Sequence, residues 1–433
     1  MKHIIIFIFI IFNMNTLYAA EFLTYLESAY KNNPTLNAQR ENYKVVNESV
    51  NISLSEFLPS VSISNSQNNQ QNSNRTNQAG GTLPDNSSNS KTQSVSINQK
   101  IFQGFQGYNS IKKSKLESEK ASLNLKNTEQ QILLQSATTY YDLIYKTKNT
   151  KFNLANVDLF ERQVESDSAR LQKGEITLTD LAQSESSLAG ANAKFIAAKT
   201  ELLTAKSNFE RIIRLPAPKT IIKNNFIKDV ILNFPKNLNA AFTFSEKNNP
   251  KLLLAKIDYK ISKKNVDIEK SKFSPSASVK YTQSQNKDFS SSINETDEET
   301  LKATVTIPIF KGGKNYSSLK KLKFKKEQSN LLLQDTINEV KTDTANSWST
   351  YQSSEGVLKA TQAQVNAAEI ANEGITLEYD SGNTRTTLEV IQSRSLLLDA
   401  RISNAKAERD FAVSKFELLS VIGELTLKNL QNS

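Results

Sequence analysis

The sequence predicts a mixed α and β membrane protein in which long antiparallel helical hairpins accompany four transmembrane β-strands per chain. Three observations carry that expectation. The chain begins with an export signal, yet no later segment is long and apolar enough for a membrane helix. Four short stretches alternate apolar with polar residues. Two proline-free stretches, residues 85–215 and 309–433, run for 131 and 125 residues and are rich in Ala, Leu, Lys, Glu, Gln and Ser, which helices tolerate.

Lys2, the apolar run from Ile4 to Phe12, and the ending Leu17, Tyr18, Ala19 mark residues 1–19 as a signal peptide. A run of about nine residues is too short for a bilayer, which takes about 20. Cleavage after Ala19 removes Lys2, lowering the net charge from +10 to +9, and removes His3, the only His in the chain. There is no Cys. Thiolate and imidazole metal sites, disulfides and the usual nucleophile and base pairs are thus largely excluded, and no enzyme activity, cofactor or metal is expected. With no Cys at the cleavage point there is no lipoprotein anchor either, so membrane residence must use strands. The basic balance alone would suit nucleic acid. Export, and the lack of basic and aromatic interleaving in a compact domain, argue for no nucleic-acid partner.

A repeat organises the rest. Asn32-Asn33-Pro34 returns as Asn248-Asn249-Pro250, and Phe57-Leu58-Pro59-Ser60 as Phe273-Ser274-Pro275-Ser276, both 216 residues on. Ile101-Phe102-Gln103-Gly104 returns as Ile309-Phe310-Lys311-Gly312, and Lys173-Gly174 as Ser381-Gly382, both 208 residues on. The chain therefore divides into repeat 1 (20–214), a connector (215–236) holding Pro216, Pro218 and Pro235, repeat 2 (237–425) and a tail (426–433). In each repeat a long hairpin (105–214 and 314–425) is broken by a Gly-containing turn, Lys173-Gly174-Glu175 or Asp380-Ser381-Gly382-Asn383. The descending arms, about Gln106 to Gln172 and Lys314 to Tyr379, span on the order of 100 Å at 1.5 Å per residue. Clusters such as Ile132, Leu133, Ala137, Tyr140, Tyr141 and Ile144, or Leu178, Leu181, Ser184 and Leu188, give narrow stripes suited to a coiled coil.

Strands are expected at about 58–68, 93–102, 274–285 and 301–310. Val61-Ser62-Ile63-Ser64, Val95-Ser96-Ile97-Asn98, Ala277 to Tyr281 and Ala303 to Ile307 each present one apolar and one polar face. Segments of this kind suit a tilted membrane strand with lipid on one side and a lumen on the other. Lys280 and Lys302 fall on the lumen parity, while Phe57, Phe102, Phe273 and Phe310 sit at strand ends as membrane-interface aromatics. A soluble half-buried sheet would alternate in the same way. Gln67 to Thr92 reads as a flexible surface loop, with a shorter acidic counterpart at Asn286 to Glu299. Four strands cannot close a barrel, since about eight are needed, so the chain must oligomerise as two, three or four copies.

Paired modules, two strands per module, long hairpins, and Tyr379-Asp380-Ser381-Gly382 followed by Thr384-Arg385-Thr386 together resemble the TolC family of outer-membrane efflux and secretion channels. The resemblance covers essentially the whole mature chain. It implies a homotrimer in the outer membrane, with one twelve-stranded β-barrel and a helical barrel through the periplasm. It also implies a periplasmic adaptor, an inner-membrane transporter and outer-membrane lipid as partners. Matched by position, Thr179, Asp180, Tyr379 and Arg385 correspond to the family's periplasmic gate, with links expected between Arg385 and Thr179 or between Tyr379 and Asp180. Glu389 and Gln392 correspond to its entrance ring, where Gln392 replaces a carboxylate. Asn383 is one residue more than the family pattern allows before Thr384.

A plainer role competes at the turns. Thr179 would cap the returning helix, and Asp180 and Glu389 would complement helix dipoles. The lysine run Lys320, Lys321, Lys323, Lys325 and Lys326 reads as a solvated helix face. The expected function is a passive exit duct for multidrug efflux or type I protein secretion, driven by the inner-membrane transporter. A non-channel periplasmic coiled-coil scaffold is the alternative.

Overall fold

The structure, a computed structural model, describes residues 22–218, 234–290, 293–381 and 385–431. The signal peptide, most of the connector, and the turn residues Gly382, Asn383 and Thr384 lie outside the described residues. Contacts divide the chain into two units. The first takes in residues 1–41, 123–253 and 335–433, and the second residues 42–122 and 254–334.

The repeated Asn-Asn-Pro is a helix start. After a helix over residues 22–32 (α1), Asn33 precedes Pro34 at the head of α2 (Pro34–Ser55), and its side-chain oxygen accepts from the amides of Thr35 and Leu36 at 3.0 and 3.4 Å. Proline suits the first helical position because that amide has no intrahelical partner. Phe57 and Pro59 then lead the chain into β1 (Ser60–Asn72), which pairs with β2 (Asn86–Gln103). Gly104 ends β2 at φ +59°, where a Cβ would stand 2.4 Å from that of Ser274, so only glycine fits.

From there the chain runs down α3 (Gln106–Gln172) and back up α4 (Leu178–Ile213), turning at Gly174 with φ +74°. The second half repeats the plan. α5 (Leu238–Asn248) is followed by α6 (Pro250–Ser271), β3 (Ser276–Ser290), β4 (Ile293–Thr306), α7 (Lys314–Asp380), α8 (Thr387–Val421) and a short α9 (Leu427–Gln431). Asn249 heads α6 as Asn33 heads α2, accepting from the Leu252 amide at 3.0 Å. Each of these two asparagines also donates to a carbonyl ending a returning helix, Asn33 to Ile212 at 3.2 Å and Asn249 to Val421 at 2.6 Å. One side chain thus satisfies orphan groups at two helix ends.

The core of the first unit is aromatic. Phe22 lies 4.8 Å from Tyr140 and 5.8 Å from Phe416 between ring centroids, with Leu26, Leu133, Phe209, Ile213, Leu418 and Ile422 buried around it. Burying each such side chain contributes about 1.5 to 3 kcal/mol. Along the returning helices the buried seam is built of small residues. Ser184, Ala191, Ala198 and Ala205 recur every seven residues on α4, and Ser393, Ala400, Ala407 and Ser414 recur at the same interval on α8. Small side chains leave room for close approach, and the helices that approach each other most closely are α4 and α8. The seam also faces the partner arm of its own hairpin. Ala198 accepts from Thr150 of α3 at 3.1 Å, and Ser414 bonds Ser354 of α7 at 2.9 Å. Leu178, expected in the stripe, is instead 71% exposed.

In the second unit the strands form one antiparallel sheet in the order β1-β2-β3-β4. Its register aligns Val61, Ile97, Tyr281 and Leu301 in one row and Ser62, Ser96, Thr282 and Thr300 in the next, so the apolar residues of all four strands share one face, which Gln283 and Glu299 interrupt opposite Ile63 and Val95. The strands reach farther than their apolar stretches. Gln67 to Asn72 pairs with Asn86 to Lys91, and Asn286 to Glu299, expected as a loop, largely lies within the β3–β4 hairpin. Backbone pairing propagates without apolar side chains, helped here by Gln67 donating to Asn89 at 3.0 Å and Thr92 to Asn286 at 2.8 Å. Only residues 73–85 connect β1 to β2.

Candidate functional site

Two places carry the chemistry, one in each unit. The first is the sheet. On its apolar face Val61, Ile63, Leu301 and Val305 are each more than 60% exposed, and β1 and β4 are free edges within the chain. A sheet that leaves such a face to the solvent, with two unpaired edges, is unfinished in water. Phe57 and Phe273 stand where helices give way to strands, Phe102 is the next-to-last residue of β2, and Phe310 follows β4; all four are exposed. Phe102 packs edge-on against Phe105 at 5.5 Å. On the opposite, polar face Lys280 and Lys302 are direct partners in the β3–β4 register.

The second place is the pair of hairpin tips. Both returning helices start with a capping box. Thr177 accepts from the Asp180 amide at 3.3 Å while the Asp180 carboxylate accepts from the Thr177 amide at 2.9 Å; Thr386 and Glu389 do the same at 3.3 and 2.8 Å. The caps sit 209 residues apart, one more than the 208 of the preceding glycines, so the added residue of the second hairpin falls within its turn. The cap of α4 is Thr177, not Thr179, because it is Thr177 that takes extended backbone angles just before the helix. Bonds from backbone and hydroxyl hold the Asp180 carboxyl below its ordinary pKa, as the Thr386 amide and Arg385 do for Glu389.

Behind the caps lies a buried polar network. The Tyr379 hydroxyl donates to Asp167 Oδ1 at 2.9 Å, Gln163 donates to the same oxygen at 2.9 Å, and Ser184 donates to Oδ2 at 2.6 Å. Tyr379 also bonds Thr387 at 3.1 Å, and Arg394 donates to Gln163 at 3.0 Å. Residues of α3, α4, α7 and α8 are thereby joined. Asp167 and Ser184 are fully buried and Tyr379 is 5% exposed. Burial raises the Tyr379 pKa and lowers that of Arg394. Arg170 covers the Tyr379 ring at 4.6 Å.

Within one chain, therefore, Tyr379 meets Asp167 rather than Asp180. Arg385 meets Glu378 at 2.6 Å and Glu389 at 2.9 Å rather than Thr179, whose side chain is exposed and makes no hydrogen bond among the described residues. The Glu389 carboxylate is shared by its cap and Arg385. Gln392 is exposed. Gln163, Asp167, Thr387 and Arg394 carried no expectation in the sequence, and Ser184 was expected only as part of a packed stripe. Asp167 carried one signal, a carboxylate on a helix stretch whose neighbours pack, but only the fold shows that Tyr379 reaches it.

A membrane-type sheet continued by paired helical hairpins defines a class of outer-membrane channel. The chain belongs to the outer membrane efflux protein family, which it matches over residues 25–213 and again over 245–424. It is 26% identical to the outer membrane efflux protein BepC of Brucella suis over 94% of this chain and 86% of that one. It is 22% identical to the outer membrane protein TolC of Vibrio cholerae over 93% and 91% of the two chains. The fold matches the Campylobacter jejuni CmeC outer membrane channel with a TM-score of 0.81 at 15% identity, covering 93% of this chain and 86% of that one. The protein is accordingly an outer-membrane efflux channel with its helices in the periplasm, and a scaffold role is not favoured.

Proposed function

We propose that three copies of this chain close β1 against β4 of a neighbour into one twelve-stranded barrel, and pool their hairpins into a tunnel. Cargo enters from an inner-membrane transporter through a periplasmic adaptor, and the chain serves as the passive duct. The observation that carries this reading is the sheet, which has four strands, an exposed apolar face and two free edges. About eight strands are the least that close in lipid, so copies must be added. The bond between Tyr379 and Asp167, with the ion pairs of Arg385, holds the tips in the closed arrangement, while Phe57, Phe102, Phe273 and Phe310 mark the membrane interface. Glu389, paired with Arg385, leaves the entrance ring weakly charged. Cargo of the efflux kind, small and chemically varied, fits the family.

Protein extracted from outer membranes should have the mass of three chains and conduct ions in a planar bilayer. A monomer that inserts without conducting would overturn the reading.

A further inference from the structure

We propose that the polar face of the sheet carries a binding subsite for small organic anions, those bearing sulfonate, phosphate or carboxylate groups. The proposal rests on the reading above only in taking this face as the lumen.

Lys280 and Lys302 stand directly opposite one another. Like charges so placed repel, and the sheet shows that the chain can avoid this: Lys287, on the other parity, faces Glu295 across the same two strands and pairs with it at 3.3 Å. No carboxylate among the described residues pairs with Lys280 or Lys302; toward the helices the adjoining row offers the hydroxyls of Ser278 and Thr304, while on the other side Thr300 donates to Glu298 at 3.2 Å. One row toward the helices, Lys100 stands opposite Ser278 on that same face. There the sheet floor opens into a cleft of about 510 Å³, lined by Lys100, Lys272, Lys311, Ser278, Thr304 and Thr306 among others and by no Asp or Glu. Lys272 is engaged by Glu269 at 2.8 Å, whereas Lys100 and Lys311 have no ion-pair partner among the described residues.

The unpaired Lys100 and Lys311 in a cleft lined by hydroxyls and by no carboxylate, one row from the unpaired Lys280 and Lys302, are the complement of an anion. Pro308 also borders the cleft and suits an apolar body behind the charged groups. The uncompensated lysine pair is thus explained by a passing guest that offsets the repulsion.

The probe is pyranine, a trisulfonated pyrene dye, titrated by fluorescence anisotropy against the full chain purified in detergent. Binding should saturate, weaken as salt rises, and weaken roughly tenfold or more in Lys100→Gln/Lys280→Gln/Lys302→Gln, while Lys→Arg at the same positions retains it. Dye added to a bilayer should block the wild-type current and spare the Gln variant. Equal affinity of wild type and Gln variant, or equal binding of a pyrene carrying quaternary ammonium groups, overturns the subsite. Lysine-dependent binding by a protein that never conducts would leave the subsite standing and sink the channel reading. Conduction without lysine-dependent binding would do the reverse.

Discussion

At the hairpin tips Asp167 finds its partners inside one chain, accepting from Gln163, Tyr379 and Ser184, while the nearby Thr376 hydroxyl is buried without a partner among the described residues. The sheet leaves its business open. Its apolar face is exposed, its two edge strands are unpaired, and Lys280 faces Lys302 without a carboxylate. Burial accounts for the contrast. An orphaned donor in a core costs about 1 to 3 kcal/mol, which favours satisfying the donors around Asp167 as the chain folds. An exposed face can wait for lipid, for other copies or for a guest.

The largest effects are expected at the sheet. Val279→Arg puts a charge on the apolar face and should cost about 2 to 4 kcal/mol near the membrane midplane, abolishing outer-membrane assembly. Ser278→Arg, one residue away on the polar face, should assemble normally. Fractionation of outer membranes separates the two, and equal assembly would reverse the assigned faces.

Asp167→Ala should come next, because it leaves donors on α3, α4 and α7 without an acceptor, at about 1 to 3 kcal/mol for each group that stays unsatisfied. The thermal midpoint should fall, and single-channel conductance should rise as the tips loosen. Tyr379→Phe combined with Arg385→Ser removes the linking hydroxyl and the exposed guanidinium fork; conductance should rise with a smaller loss of stability. Unchanged conductance in both variants would assign the network to packing alone.

Loss of a cap is a smaller change. Thr177→Ala or Thr386→Ala should cost about 1 kcal/mol, read as faster hydrogen exchange in the first turn of α4 or α8. Acid should act in the same place. The Asp180 and Glu389 carboxyls titrate lower in the folded protein than when unfolded, so their contribution is complete above the ordinary carboxylate pKa of about 4. It is lost as pH falls through the depressed folded values. Exchange in those turns should accelerate below about pH 4 and be insensitive to pH above it, once intrinsic rates are corrected.

Much of this was legible in the sequence because it rests on local rules. Proline and glycine positions delimit the helices, and the alternation of Val61 to Ser64 or Ala303 to Ile307 fixes the two faces of the sheet. The strands beyond Gln67 were not legible, since Asn, Gln and Ser pair through the backbone and leave no apolar period to detect. The α4 seam was legible only at its start: Ser184 and Leu188 of the expected stripe face the packed side and Leu178 does not, while Ala191, Ala198 and Ala205 are too small to leave an apolar period. Pairing of Tyr379 with Asp167 spans 212 residues and is set by helix packing, which no local pattern encodes.

Closure of the free sheet edges on other copies can be trapped covalently. Because the chain has no Cys, engineered thiols are the only ones present. Thr304→Cys on β4 can be combined in turn with Ser60→Cys, Ser62→Cys or Ser64→Cys on β1, and the proteins oxidised in outer membranes and run on denaturing gels. One combination should yield a covalent species of three chains that collapses to monomer on reduction. If every combination leaves only monomers, or yields a ladder continuing past three chains, β1 and β4 do not close a trimeric barrel.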